Sequence, residues 1–522
     1  MMKTKHSIIA LTIVLMSATL VSCDKDFEEI NIDPTKLTSA NMDYNYLFTA
    51  AQLVTAGNSD GNAYEDWRNN LIYASCMIQH LSSTTGYWAG DKYTYNAGYN
   101  SAYWDANFNN SIRNIVEVVE HTKDNAAYTN AYNIARIFKV FMFQRLTDMY
   151  GDIPYSQAGL GFIEGTTSPV YDKQQDIYMG MLNELQEAAT ALDAGAANTL
   201  GDADQMYGGD VTKWKKFAYS EMVRIAMRMT KVDASTAGQW VKTAFAGGTF
   251  TSNDDNALLN HADVPWNIQT NGNAWVLDQV DPDASRVSES FINMLKSKSD
   301  PRLRYIATVA TDPTDLTDKG DNDPAIQLGQ PNGYDVGGST TDISKAPGYP
   351  GSRNKYSIVN RNTFARKDAP TFILTYGETE LLLAEAAQRG WISESAEKLY
   401  DQGVAASILQ VNQAGAALTQ ADATAYLTAN KYNVAAALKQ INEEYYVTTF
   451  MDEYEAWANW RRSGYPVLVT VNYFGNVTNG TIPRRFTYPA GEAATNGTNY
   501  NAAVGGLDDG DVMTSRVWWD SK

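Results

Sequence analysis

The sequence predicts a mainly α-helical protein with loop-rich irregular insertions. Three observations lead there. Residues 101–121 and 126–150 place apolar side chains at helical spacing with no internal Gly or Pro. A second block of the same kind runs through 375–389, 393–413 and 433–462. Between the blocks, residues 249–366 are rich in Asn, Asp, Gly, Pro and Ser and hold only short candidate elements, such as 288–295.

Lys3 and Lys5 open the chain, and a nearly uncharged apolar run follows from Ile8 to Val21. A membrane span needs roughly 20 apolar residues, so this run suits the core of a signal peptide. It closes on Ser22-Cys23. A small residue followed by Cys resembles a bacterial lipobox, in which the thiol is alkylated with diacylglycerol and cleavage makes Cys23 the first residue. Residues 1–22 are then the signal peptide and 23–38, aperiodic and acidic with Asp33-Pro34, a lipid-anchored tether. Residues 39–522 are expected to form one domain, with a helical scaffold over 39–248 and 367–465 and the loop-rich insertion at 249–366.

The helical elements follow in order. Residues 43–55 carry Tyr44, Leu47, Phe48, Ala51, Leu53 and Val54 at helical spacing. The stretch ending at Tyr150 meets Gly151 and Pro154, which supply a stop and a fixed exit. Residues 173–192 and 211–231 continue the pattern. No clean repeat exists, although helices of this length in adjacent pairs resemble a degenerate helix-hairpin solenoid. Residues 312–351 and 475–511 read as long loops.

Without the two signal lysines the chain has 39 basic and 60 acidic residues, a net charge of −21. Such a surface repels phosphate backbones and anionic lipid, so nucleic acid is not an expected partner. Membrane association must come from acyl chains, at about 0.8 kcal/mol per buried methylene. Cys76 is the second of two cysteines and lies in an apolar stretch, so no internal disulfide forms if Cys23 is lipidated. Burial as a small hydrophobe is expected of it.

Candidate chemistry is sparse. The four histidines, His6, His80, His121 and His261, show no metal-ligand spacing. There is no HExxH, GxSxG, P-loop or dinucleotide fingerprint, and no cofactor is predicted. Carboxylate pairs abound, but nothing singles one out for glycoside hydrolysis. Asp315, Asp318, Asp321 and Asp323 cluster with Gly320 and Asn322 in a loop that could hold calcium, although its spacing is not that of an EF-hand. A solvated acidic turn is the competing reading.

The 32 Tyr and 12 Trp suit wet recognition surfaces, since each joins an apolar face to a polar tip. Two aromatic stretches lie outside the periodic helices. One is 86–93, with Tyr87, Trp88 and Tyr93. The other is 265–275, in which Trp266 and Trp275 alternate with amides including Asn267 and Asn271. Both are candidates for binding a sugar or a peptide; packing of the loop onto the scaffold is the alternative. Trp104, Trp457 and Trp460 fall in helical patterns and are assigned to the core.

A family resemblance rests on motifs in order along the chain. Glu378 to Ala387, with Arg389-Gly390-Trp391, resembles the E-x-x-L-L-x-A-E-A helix of the SusD/RagB outer-membrane lipoproteins. Also similar are Leu146 to Tyr155, Asp300 to Leu303, Trp457 to Pro466, and Ile482 to Pro489 with Glu492 and Asn496, and a tail from Val517 to Asp520 marks the SusD-like subgroup. Physically these are scaffold features: Glu378, Glu380 and Glu385 suit Arg partners on neighbouring helices, and Arg461 and Arg462 could pair with such carboxylates bidentately.

The resemblance implies a tetratricopeptide-like helical-hairpin scaffold with irregular insertions. It implies a place on the exterior face of an outer membrane, held by the lipid on Cys23. It also implies a non-enzymatic job: binding an oligosaccharide, or in some members a peptide, as a hinged lid on a SusC-like TonB-dependent transporter. In such proteins ligand contacts tend to come from the loop near the first helical pairs and from the mid-chain insertion. A surface-displayed hydrolase and a ligand-free assembly protein remain the competing readings.

Overall fold

The computed structural model describes residues 42–57, 66–264 and 269–521. Cys23 and the tether therefore lie outside the described residues. The α-helices of eight residues or more are, in chain order, α1 (Tyr44–Thr55), α2 (Ala97–Ala106), α3 (Arg113–Thr122), α4 (Thr129–Tyr150), α5 (Gln174–Ala191), α6 (Val211–Arg228) and α7 (Ala234–Gly247), then α8 (Glu289–Ser297), α9 (Tyr376–Gln388), α10 (Ala396–Gln410), α11 (Gln420–Ala429), α12 (Ala437–Thr448), α13 (Glu453–Ser463) and α14 (Gly497–Val504). A π-helical stretch, Asp66–Ser75, precedes α2, and a second, Asn107–Ile112, joins α2 to α3.

The helices form the expected tandem pairs. From α3 to α7 each packs against the next, and α9 to α11 repeat the pattern, with α12 returning onto α9. Contacts of α6 with α9 and of α4 with α13 join the two blocks, and from Asn45 onward the chain is one compact unit.

Local chemistry sets the helix ends. In α4, Gly151 adopts φ 89°, its N–H reaches the Thr147 carbonyl at 2.8 Å, and the Thr147 hydroxyl donates back to the Gly151 carbonyl at 2.7 Å. The predicted stop is thus a left-handed residue that Gly adopts without a Cβ penalty. At the start of α9, Thr375 and Glu378 form a reciprocal capping box. Residues 433–462, which read as one helical run, divide at 449–452, where Met451 has φ 77° and a new helix starts at Glu453. Residues 475–511, expected as loop, include α14.

The interface between the blocks is ionic. Arg224 and Arg228 of α6 face Asp148 of α4, Glu221 of α6, Glu378 of α9 and Glu455 of α13, all at most 3 % exposed. Two guanidinium charges cannot neutralise four carboxylates. Accordingly the Glu455 carboxyl, despite its burial, is held down at about 2 by Arg228 and Arg224, whereas burial pushes Glu221 and Glu378 up to about 7. Of the two arginines expected to pair bidentately, Arg462 does so with Glu385. Arg461 instead donates to the Asp148 and Arg484 carbonyls, with its guanidinium 4.1 Å from the Trp457 ring centroid and 4.8 Å from that of Trp519.

Two two-stranded antiparallel ladders pin the insertion to the scaffold, β1 (Leu81–Ser83) with β3 (Ser285–Val287) and β2 (Ala257–Leu259) with β6 (Thr371–Leu374), and a third, β4 (Ala307–Thr308) with β5 (Ile358–Val359), closes within the insertion. The first of these builds the candidate site.

Candidate functional site

Antiparallel register fixes what faces what. Leu81 pairs with Val287 and Ser83 with Ser285, so the chain leaving β1 lies beside the chain entering β3. Four residues beyond each end of this pairing stand Tyr87 and Asp281. The Tyr87 hydroxyl donates to Asp281 Oδ2 at 2.7 Å, and the Trp88 indole N–H donates to the same oxygen at 2.6 Å.

The loop from 84 to 93 is held from beneath. The buried Lys92 ammonium donates to the carbonyls of Ser83 (2.6 Å) and Trp88 (3.1 Å) and to Asp91 Oδ1 (3.0 Å). Asp91 Oδ2 accepts the N–H groups of Ser83 and Gly333, each at 3.2 Å. Gly90 is required because its backbone sits against the preceding π-helical stretch: a Cβ there would lie 2.2 Å from the Ile72 carbonyl oxygen. Trp88 is fully buried and anchors the loop. A buried charge with every donor occupied, and an aromatic anchor, make this a rigid mount.

On that mount Tyr87 is 44 % exposed. Trp67, from the π-helical stretch, meets it edge to face with ring centroids 6.3 Å apart. The guanidinium of the adjacent Arg68 lies 5.6 Å from the Tyr99 ring centroid. Trp67, Arg68 and Tyr99 are each partly exposed. Burial and the hydrogen bond to Asp281 raise the Tyr87 hydroxyl above its ordinary value, so it is a neutral phenol at any physiological pH. The result is an aromatic surface with a carboxylate and a guanidinium at its edges. It is suited to stacking on C–H faces and hydrogen-bonding hydroxyl or amide groups.

Of the residues expected to contact ligand, Tyr87 presents its ring to solvent, while Trp88, Tyr93, Asn271 and Trp275 are buried. Tyr93 ends the loop in a left-handed turn at φ 53°. Asn271 caps the short turn Gly272–Trp275 and donates to the Ala369 carbonyl at 3.0 Å. Trp275 lies under the Lys367 ammonium, 5.6 Å from its ring centroid. Trp266 and Asn267 lie outside the described residues. Trp67, Arg68, Tyr99 and Asp281 were not singled out in the sequence. They stand in helical or aspartate-rich stretches, and only the fold brings them to Tyr87.

The acidic loop resolves into turns. Asp315 Oδ1 accepts from the Thr317 N–H and hydroxyl, Asp318 from the N–H groups of Thr311, Asp312 and Gly320, Asp321 from that of Asp323, and Asp323 from that of Ala325. Among the described residues no group of three or more His, Cys, Asp or Glu side chains converges as a metal site. His80 and Glu453 are both buried, with Nδ1 and Oε2 2.6 Å apart inside the scaffold.

Comparison with known proteins places these features in a family. Residues 36–489 match the SusD-like family described as "starch-binding associating with outer membrane". No curated protein matches the chain. Among solved structures, one titled a chitin-binding protein shares 33 % identity over 92 % of this chain and 100 % of its own, with a TM-score of 0.81. A structure titled Bacteroidetes AC2a SusD-like shares 26 % over 92 % and 100 %, with a TM-score of 0.79. A chitin-binding SusD homolog from Flavobacterium johnsoniae shares 23 % over 91 % and 99 %, with a TM-score of 0.73, a likeness of fold. Among the described residues no helix is long and apolar enough to cross a membrane.

Proposed function

The chain belongs to the SusD-like family, and from that membership we propose that it is an outer-membrane-associated carbohydrate-binding protein that takes a chitin-type oligosaccharide on the Tyr87–Trp67 surface. The observation that carries this reading is Tyr87 itself: an exposed ring fixed by Asp281, with the Trp67 ring edge-on beside it. Sugars offer apolar C–H faces to such rings, and a pre-fixed platform loses little entropy on binding. The chitin-binding relative at 33 % identity supports the choice of an N-acetylated β-linked glycan. For such a ligand, Arg68 would supply a donor to acetamide carbonyls and Asp281 an acceptor for N–H or O–H groups.

The protein would act without chemistry on its ligand. Among the described residues burial raises four carboxyls to about 7, Asp66, Glu221, Glu378 and Glu380, and all four are buried in the fold. Lipid on Cys23 would hold the chain to the outer membrane, facing the exterior, where it would pass its ligand as a lid to a SusC-like TonB-dependent transporter.

The test is calorimetry of the purified chain with chitohexaose, maltohexaose and mixed oligopeptides, followed by chromatography of the glycan. Chitohexaose should bind and be recovered intact. Selective peptide binding would replace the ligand class, and shortened glycan would show a hydrolase. Separately, Cys23→Ser should release the protein from the outer membrane and from a co-purifying barrel.

A further inference from the structure

The C-terminal tail Val517-Trp518-Trp519-Asp520 is half accounted for by packing. Val517 and Trp519 are buried, Trp519 against the Arg461 guanidinium. Asp520, also buried, accepts from Arg484 Nε at 2.7 Å and Arg516 Nη1 at 2.8 Å. Trp518 has no such role in the core. It is partly exposed, edge-on to the buried Tyr178 ring at 5.7 Å, and lines a cleft of about 520 Å³ between the start of α5 and the segment after α14.

The other polar walls include Asp152, Lys173, Gln174, Gln175, Asp508 and Arg516. Lys173 Nζ is 2.7 Å from Asp152 Oδ2, and Arg516 shares Asp520 with Arg484. A neutral polyhydroxylated ligand finds donors and acceptors side by side, with an indole held by a fixed tail. Gly506 keeps the space open, since a Cβ on it would stand 3.3 Å from the Lys173 ammonium. The volume falls within the range of roughly 300–1,000 Å³ typical of small-ligand sites.

We propose that this Trp518 cleft is a second carbohydrate-binding site, separate from the Tyr87 surface and taking one end of a neutral oligosaccharide. It rests on the glycan-binding reading for its ligand class, but it shares no residue with the Tyr87 surface. Two sites on one chain would let a long glycan be held at two points, raising avidity with no change in either contact.

The experiment is calorimetric stoichiometry on the purified chain with chitohexaose, repeated with maltohexaose, for the parent, Trp518→Ala, Gly506→Leu and Tyr87→Ala. The expected result is two sites in the parent and one in each variant. Gly506→Leu fills the cleft from an exposed position, so it carries the test if Trp518→Ala fails to fold. A single parental site that Tyr87→Ala abolishes and both cleft variants leave intact would overturn this proposal and leave the proposed function standing. A single site lost in the cleft variants but kept in Tyr87→Ala would support the cleft and contradict the Tyr87 surface. No binding of either glycan would overturn both.

Discussion

Arg462 of α13 grips Glu385 of α9 with both arms of its guanidinium, Nη1 2.7 Å from Oε1 and Nη2 2.8 Å from Oε2, each side chain 1 % exposed. Arg389 adds two bonds to Oε1, and Asn442 one to Oε2. Together they hold the Glu385 carboxyl at about 2 against the opposing effect of burial. The pair links the two helices whose sequences carry the clearest family motifs, so those motifs mark how the scaffold closes on itself.

Without Arg462, Glu385 keeps only Arg389 as a cationic partner. Arg462→Ala should lower unfolding stability by about 3 kcal/mol, the lower end of the cost of breaking a buried ion pair. Arg462→Lys keeps the charge but loses the fork and should fall between the two. Urea denaturation of the three proteins at pH 7 checks the order.

The buried glutamates pull stability in opposite directions as pH changes. Glu385 and Glu455 are depressed to about 2, so their contribution is present above the unfolded value of 4.5 and lost as pH falls towards 2. Glu221 and Glu378 are raised to about 7, so theirs is present below 4.5 and lost as pH rises to about 7. Glu221→Gln, a neutral stand-in for the protonated acid, should therefore gain in melting temperature relative to the parent between pH 5 and pH 8. Scanning calorimetry at the two pH values reads the difference.

The loop under Tyr87 tolerates no side chain at Gly90, where a Cβ would also stand 2.6 Å from the Tyr73 carbonyl oxygen. At Gly86 the same Cβ meets nothing within 4 Å. Gly90→Ala should destabilise the protein by about 1–3 kcal/mol, as overpacking does, and weaken glycan binding with it. Gly86→Ala should do neither. Paired melting and binding measurements separate the two.

Cys76 is fully buried, and its thiol is pushed well above the ordinary value, chiefly by burial. A neutral, inaccessible thiol does not attack. Iodoacetamide should leave Cys76 unmodified in the native protein and alkylate it in urea, as read by mass spectrometry.

The sequence was most legible where local chemistry decides. The stop at Gly151 and helix α9 from its capping residue Thr375 stand within a residue or two of expectation. Helices α7 and α11 went unread because small and polar residues dilute their apolar faces; Gly238 of α7 is chosen for the close approach of Trp391. The candidate site is legible only in part. Glycine-flanked aromatics single out the 86–93 loop, but composition does not say which ring faces water. Trp88 and Tyr87 are neighbours with opposite exposure, although both donate to Asp281, nearly two hundred positions away. Trp67 was hidden in a stretch of mixed polarity whose π-helical form turns it towards Tyr87.

The central claim is that the Tyr87 ring binds glycan. Chitohexaose titration of the parent, Tyr87→Phe and Tyr87→Ala tests it most directly. Tyr87→Phe keeps the stacking face and should bind within a few-fold of the parent. Tyr87→Ala should lose about tenfold or more at that site, about 1.4 kcal/mol, with an unchanged melting temperature. Equal affinity in all three proteins would contradict the account.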